Sequence, residues 1–376
     1  MVSVKDIANA CNVSVATVSK ALNGYSDISD ETKAVISAKA AELGYIPNMA
    51  AVALKTNRTY NIGILFIDAA NSGFKHEYFA NVLEGIRSQA EQMGYCITFI
   101  TNRIGGRKIT YSEHCSIRQF DGVIIACINY DDPQVVELVG SGIPIVTIDH
   151  IFNNTISVMS DNVKGVKDLV EYLYSMGHKR IAFIHGQDSS VTRDRVTSFY
   201  RCMEQLGISV GREYVQECRY HDTAGVVKCT KKLLQLKERP TCIMYPDDIT
   251  AISGANVIKS YGLNIPDDIS VTGYDGIRYS LIYEPQITTL QQAGDRMGRE
   301  AAACLIELIK KPKTTLKKSY VIEGKVLTGA SVSNLSSIVI RDSRFVNEFH
   351  ILKATCKFCT RLSTFVMTFP FFPLLL

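Results

Sequence analysis

The sequence predicts an α/β core of two doubly wound lobes, preceded by a small all-α helix–turn–helix headpiece. Three observations carry that prediction. Residues 4–23, VKDIANACNVSVATVSKALN, hold two short helical patterns separated by a break of three or four residues. From Asn61 onward, continuous apolar runs alternate with helical patterns: IGILFI, YCITFI, DGVIIA and IPIVTI, then KRIAFI, TCIMYP and DISVTGYD. Uninterrupted Val/Ile-rich runs mark strands buried on both faces, as in a parallel sheet covered by helices. Finally, 376 residues exceed one ordinary core, so two or three domains are expected.

The elements follow in order. Ser3 with Asp6 has the spacing of a capping box, and Ile7, Ala8 and Cys11 continue at helical spacing. Asn12-Val13 breaks the pattern, with Val13 filling the corner. Ser14 caps a second helix whose Val18, Ala21 and Leu22 face inward and whose Val15, Ala16, Thr17, Ser19 and Lys20 remain outside. A helix–turn–helix places the N-terminal end of its second helix in the major groove of DNA. Ser29 caps a third helix, with Val35, Ile36, Ala40 and Leu43 as its apolar stripe and Gly44 as its stop. Asn48 can cap one short helix from Met49 to Leu54, too short to persist alone in water. Beyond it, helices are expected over 78–93, 163–177, 192–206, 223–236, 249–260 and 294–310, giving one set of alternating units before about 160 and one after. Doubly wound sheets bind ligands outside the carboxyl ends of their strands, so a cleft is expected between the lobes.

Composition narrows the function. The net charge of +4 divides into +1 over residues 1–60, +3 over 336–376 and a neutral middle, so charge alone gives no argument for nucleic acid. The DNA reading rests on the motif. Eleven scattered cysteines show no spaced framework, which suits a reducing cytosol. The opening MVSVKDIA has no apolar core of a secretory signal and no run is long enough to span a bilayer, so a cytoplasmic protein without membrane contact is expected. There is no G-x-G-x-x-G, Walker A or G-x-S-x-G sequence, and the seven histidines show no H-x-x-x-H spacing. No enzyme, catalytic residue, metal or cofactor is expected. His178 reads as structural.

With these parts in place, the chain strongly resembles the LacI/GalR family of bacterial transcription regulators, from about Ser3 to Leu335. The resemblance rests on V-K-D-I-A…V-S-V-A-T-V-S-K-A-L-N, G-Y-I-P-N-x-x-A-x-x-L at 44–54, D-N-x-x-G at 161–165, G-H-K-R-I-A-F-I at 177–184 and S-V-T-G-Y-D at 270–275. It implies a headpiece over 1–46, a hinge helix and linker over 47–60, and a two-lobed core like periplasmic sugar-binding proteins over 61–335. It also implies a homodimer on a palindromic double-stranded operator. Residues 336–376 fall outside it and read as an accidental extension; Cys356 and Cys359 lack the further ligands a zinc site needs.

The resemblance places Val15, Ala16 and Lys20 at base-reading positions and Thr17 and Ser19 at phosphates; Ser14 and Asn23 complete the headpiece contacts. The chemistry agrees, since lysine donates to guanine N7/O6 and small apolar groups meet a thymine methyl. Asn48, Ala51 and Leu54 match a hinge helix whose leucine wedges into the minor groove. With Met49, Ala50, Val52 and Ala53 where relatives often carry an arginine, phosphate contact falls to Lys55 and Arg58. In the core, Arg195 matches a ligand-binding arginine and Tyr78-Phe79 an aromatic pair; Asp149 and Asp275 lie at strand ends, and Asp247-Asp248 stands where relatives more usually carry Asn-Asp. A planar arginine fork facing carboxylates suits sugar hydroxyls. The alternative for Arg195 and Asp275 is an interlobe ion pair without a ligand, and Phe79 fits the core as well as the pocket. The small-molecule effector is expected to be a sugar, preferably neutral, since three of the groups facing it are acidic. The rival reading is a periplasmic-type sugar receptor, which the headpiece and the missing leader oppose.

Overall fold

Ser3 begins the headpiece: its backbone N–H and its hydroxyl both donate to Asp6, at 2.7 and 2.8 Å, and start helix α1 (Val4–Cys11). The structure, a computed structural model, describes residues 2–47, 53, 56–67 and 73–336. The hinge residues Asn48, Ala51, Leu54 and Lys55, part of the loop before Tyr78, and residues 337–376 lie outside the described residues. Helix α2 (Val15–Leu22) is capped by Ser14, whose hydroxyl accepts from the Thr17 N–H at 3.0 Å. Helix α3 (Asp30–Glu42) closes a core of Ile7, Ala8, Val18, Ala21, Ile36 and Ala40, with Val13 packed against it. Val35, expected on that stripe, is 58% exposed. One residue is a 100° step around a helix, and the burial of Ile36 and Ala40 turns Val35 outward.

The first lobe is built on β1 (Asn61–Phe66), β2 (Cys96–Phe99), β5 (Gly122–Ala126), β6 (Ile145–Ile148) and β7 (Ile156–Ser160). Helices α4 (Glu77–Gln92), α5 (Tyr111–Arg118) and α6 (Pro133–Gly140) connect them, and a two-stranded ribbon, β3 (Arg103–Ile104) with β4 (Arg107–Lys108), precedes α5. The second lobe holds α7 (Asn162–Ser175), β8 (Ile181–His185), α8 (Ser190–Gln205), β9 (Val215–Glu217), α9 (Thr223–Leu234), β10 (Cys242–Met244), α10 (Asp248–Ser260), β11 (Ser270–Asp275), the short α11 (Arg278–Ile282) and β12 (Thr288–Gln291). The chain then returns: α12 (Gly294–Lys310) and β13 (Ser319–Ile322) belong to the first lobe, and β14 (Lys325–Leu327) to the second. The sheets have orders β13-β7-β6-β5-β1-β2 and β14-β12-β11-β10-β8-β9, parallel throughout except for the antiparallel β12–β14 pair.

The division into one set of units before about 160 and one after is therefore corrected: the chain crosses between lobes three times, near residues 161, 293 and 324. Glycines explain why α12 pairs with α4 in the first lobe. A Cβ on Gly85 would collide with the Asp295 carbonyl, and one on Gly298 with the Val82 carbonyl, so the two helices meet backbone to backbone. Each sheet is covered on both faces. In the first lobe Ile64 and Ile124 point to the α4/α12 cluster, whereas their neighbours Leu65 and Ile125 point to the cluster containing Tyr111 and Leu138. That double burial is why these strands read as unbroken apolar runs.

Candidate nucleic-acid interface and effector cleft

The headpiece presents its second helix as expected from the sequence. Val15 is 45% exposed, Ala16 is exposed, and Thr17 and Ser19 are half-buried. The Lys20 ammonium lies 2.5 Å from the Asp27 carboxylate, and this hydrogen bond raises its pKa. Asn23 donates its side-chain amide back to the Ser19 carbonyl. Arg58 differs from expectation: its guanidinium donates to the Ile309 carbonyl at 3.0 Å, on the first lobe, so it is committed to the core.

Between the lobes lies a cavity of about 550 Å³. Five of the six expected effector residues, Tyr78, Phe79, Asp149, Arg195 and Asp275, line it. Asp149 follows β6 and Asp275 ends β11, with φ of 57° and 108°. Backbone in the left-handed region is unfavourable for a residue with a Cβ and gathers at functional sites. Here it turns each strand end so that its carboxylate faces the cleft. Asp149 accepts from the Ser160 N–H at 2.7 Å and from the Tyr78 hydroxyl at 3.3 Å, and burial nevertheless raises its pKa. Burial pushes the Asp275 carboxyl up to about 7; Arg195 opposes the shift and Asp247 adds to it.

Arg195, on the second turn of α8, is buried and charged. Its Nε donates to Asn162 Oδ1 at 2.8 Å and its Nη1 to the Pro246 carbonyl at 3.1 Å, while the guanidinium stacks 3.6 Å above the Tyr274 ring. Burial works against the cation, but Tyr274, Tyr220 and the Asp275 and Asp149 carboxylates more than offset it. No Arg195–Asp275 ion pair forms among the described residues. Phe79 meets both readings, packing edge-on against Phe66 at 5.5 Å while lining the cavity.

Asp247 is the exception. It is buried behind the cavity wall, where it caps α10 by accepting from the Thr250 N–H at 2.8 Å and holds the His221 N–H at 3.0 Å. Burial would raise its pKa, but the hydrogen bonds from His221 and Thr250 leave it below the usual carboxylate range. Counting all three carboxylates therefore overstates the negative charge facing a ligand.

The structure adds residues that the sequence reading missed. His76, just before α4, and His221, after β9, come from different lobes, and their rings stand 4.1 Å apart at the cavity. His76 Nε2 is 3.6 Å from Asp275. Tyr130 and His150 stack nearly parallel, 4.2 Å apart, as an aromatic wall. Gln292, at a crossover between lobes, bridges Ser160 and Asp275 at 2.9 and 2.6 Å. Their sequence signal is weak: each stands just outside a regular element, where periodicity says nothing about direction. Elsewhere, His178 is structural as expected, buried against Thr241 and the Ser333 carbonyl. Among the described residues no cluster could hold a metal ion, and no helix is long and apolar enough to cross a membrane.

A helix–turn–helix headpiece joined to two doubly wound lobes around a ligand-sized cleft defines a DNA-binding regulatory protein. The model of bacterial regulatory proteins of the lacI family matches residues 3–48, and that of the periplasmic binding protein-like domain matches residues 170–332. The chain is 30% identical over 343 residues to the HTH-type transcriptional repressor PurR of Aliivibrio fischeri strain MJ11, covering 89% of this chain and 99% of that one. It is 31% identical over 322 residues to the probable HTH-type transcriptional repressor ExuR of Bacillus subtilis strain 168, covering 85% and 95%. The chain belongs to the LacI family. Its fold is similar to the lac repressor dimer bound to operator and the anti-inducer ONPF, with TM-score 0.72, 24% identity and coverage of 88% and 99%. It is also similar to the complex of the transcriptional regulator CelR with cellobiose, with TM-score 0.65, 23% identity and coverage of 88% and 100%.

Proposed function

We propose that this protein is a dimeric, cytoplasmic transcriptional repressor that binds a palindromic operator and is switched by a sugar-like effector in the interlobe cleft. The observation that carries the effector reading is the cleft itself, where Asp149, Arg195 and Asp275 face a cavity walled by Tyr78, Phe79 and the Tyr130–His150 stack. Polar groups at fixed positions against aromatic faces suit a polyhydroxylated ring. In this reading Ser14, Val15, Ala16, Thr17, Ser19, Lys20 and Asn23 meet the DNA, and residues 47–60 form a hinge whose folding is coupled to binding. An effector that favours one lobe arrangement then shifts the operator-bound population. Repressor names among the relatives, and the sugar and operator complexes among structures of similar fold, support this reading over a transport receptor.

Selection from random duplexes at a stated salt concentration tests the DNA half of the proposal, because phosphate contacts make every affinity salt-dependent. A palindromic consensus is expected. A sugar panel screened for release of that duplex tests the other half. Salt-sensitive binding with no enriched sequence would overturn the regulator reading, and indifference to every sugar would overturn the effector class.

A further inference from the structure

Cys218 follows β9 and Cys229 lies on α9, and the two buried thiols interact with each other. Their surroundings fix that approach. Cys218 Sγ donates to the Asp222 carbonyl at 3.6 Å and Cys229 Sγ to the Glu217 carbonyl at 3.4 Å. Gly225 and Cys229 are four residues apart on one face of α9, and a Cβ at Gly225 would stand 2.9 Å from Cys218 Sγ. The glycine thus opens the place where the Cys218 sulfur sits. Between the thiols, residues 218–222 form the loop that carries Tyr220 and His221 into the effector cavity. Tyr220 is held there by Gln187 and Thr192, and His221 by Asp247.

We propose that Cys218 and Cys229 form an oxidisable dithiol, closed to a disulfide by hydrogen peroxide, which tethers the Tyr220–His221 loop to α9 and so alters the cleft. The control of the cleft rests on the effector reading above; the thiol chemistry does not. Cys229 is the attacking group. The neighbouring Cys218 thiol lowers its pKa, burial opposes this, and the Lys232 charge assists. Thiolates, not thiols, are the nucleophiles. The Cys229 sulfur attacks one peroxide oxygen, the O–O bond breaks, and the leaving hydroxide takes a proton to become water, giving a sulfenic acid. The Cys218 sulfur then attacks that sulfur, the S–S bond forms, and hydroxide leaves with the Cys218 proton as a second water. Two thiols lose two electrons, and one peroxide becomes two waters. A disulfide draws sulfurs from contact to about 2 Å, so the loop must follow.

Mapping the thiols of the full-length protein after hydrogen peroxide tests the chemistry. Trypsin releases Cys218 in residues 213–219 and Cys229 in residues 229–231. These peptides are expected joined, about 2 Da lighter than their sum. Cys218→Ser should leave a sulfenic acid on Cys229 that dimedone traps, and Cys229→Ser should leave Cys218 unoxidised. Wild-type mapping decides the matter even if either variant fails to fold. Recovery of both cysteines as free thiols while the exposed Cys96 is oxidised would overturn the dithiol. The tether is read separately, by hydrogen exchange over residues 218–222: slowing by several-fold in the oxidised protein is expected, and an unchanged rate would overturn control of the cleft while leaving the effector reading intact.

Discussion

Asp149 and Asp275 belong to different lobes, yet a single hydrogen-bond relay joins their carboxylates. Asp149 accepts from the Ser160 N–H, the Ser160 hydroxyl donates to Gln292, and the Gln292 amide donates to Asp275. Both intermediates sit beside crossovers between the lobes, so the relay ties the cleft to the segments about which the lobes can move. Gln292→Leu keeps most of the volume while stripping Ser160 and Asp275 of a partner. Leaving buried polar groups unpaired costs about 1–3 kcal/mol each. Urea unfolding should show a loss in that range, and an unchanged midpoint would mean that the relay adds nothing to stability.

The raised pKa of Asp275 sets a pH dependence of definite sign. Its folded value of about 7 exceeds the ordinary value of 3.8, so the folded protein holds a proton that the unfolded chain releases. This contribution to stability is complete below the ordinary value and is lost as pH rises through about 7. Across that window each pH unit removes up to about 1.4 kcal/mol. Asp275→Asn is permanently neutral and should flatten the fall. The measurement is the difference in melting temperature between wild type and variant from pH 5 to pH 8. Parallel curves would show that Asp275 does not take up the proton.

Deleting residues 337–376 is expected to leave stability and operator binding intact. The preceding segment is anchored: Leu335 donates its N–H to the Met176 carbonyl at 2.7 Å, and Ser331 accepts from the Thr288 N–H at 2.8 Å while donating to the Val271 carbonyl. A truncation that also removes residues 331–336 should therefore unfold at markedly lower temperature. If the shorter deletion alone abolishes dimerisation or DNA binding, the tail is functional and its reading as an accidental extension fails.

What the sequence revealed, and what it hid, follows from the reach of its periodicity. Strand runs such as IGILFI announced double burial, and the pattern in α1 and α2 announced the headpiece, because each signal lies within one element. The return of α12 to the first lobe left no local trace; it depends on Gly85 and Gly298 letting two helices more than 200 residues apart meet at their backbones. Strand ends pointed to Asp149 and Asp275, whereas Asp247, taken from the resemblance, turns its carboxylate away to cap α10. His76 and His221 escaped notice because only the approach of two lobes brings them together.

In the headpiece, Lys20 decides between two kinds of contact. A lysine on guanine N7/O6 discriminates by about 1–3 kcal/mol, roughly ten- to a hundredfold, whereas a lysine on phosphate weakens all sequences alike. Lys20 extends from the exposed face of α2 and is held by Asp27 across the following loop, which restrains its direction before DNA arrives. Lys20→Ala should therefore relax preference at one base pair in each half-site. Repeating the duplex selection with the variant measures this directly. A consensus that stays sharp at every position, with affinity uniformly lower and the salt slope reduced by about one, would move Lys20 to the phosphate backbone and leave base reading to Val15 and Ala16.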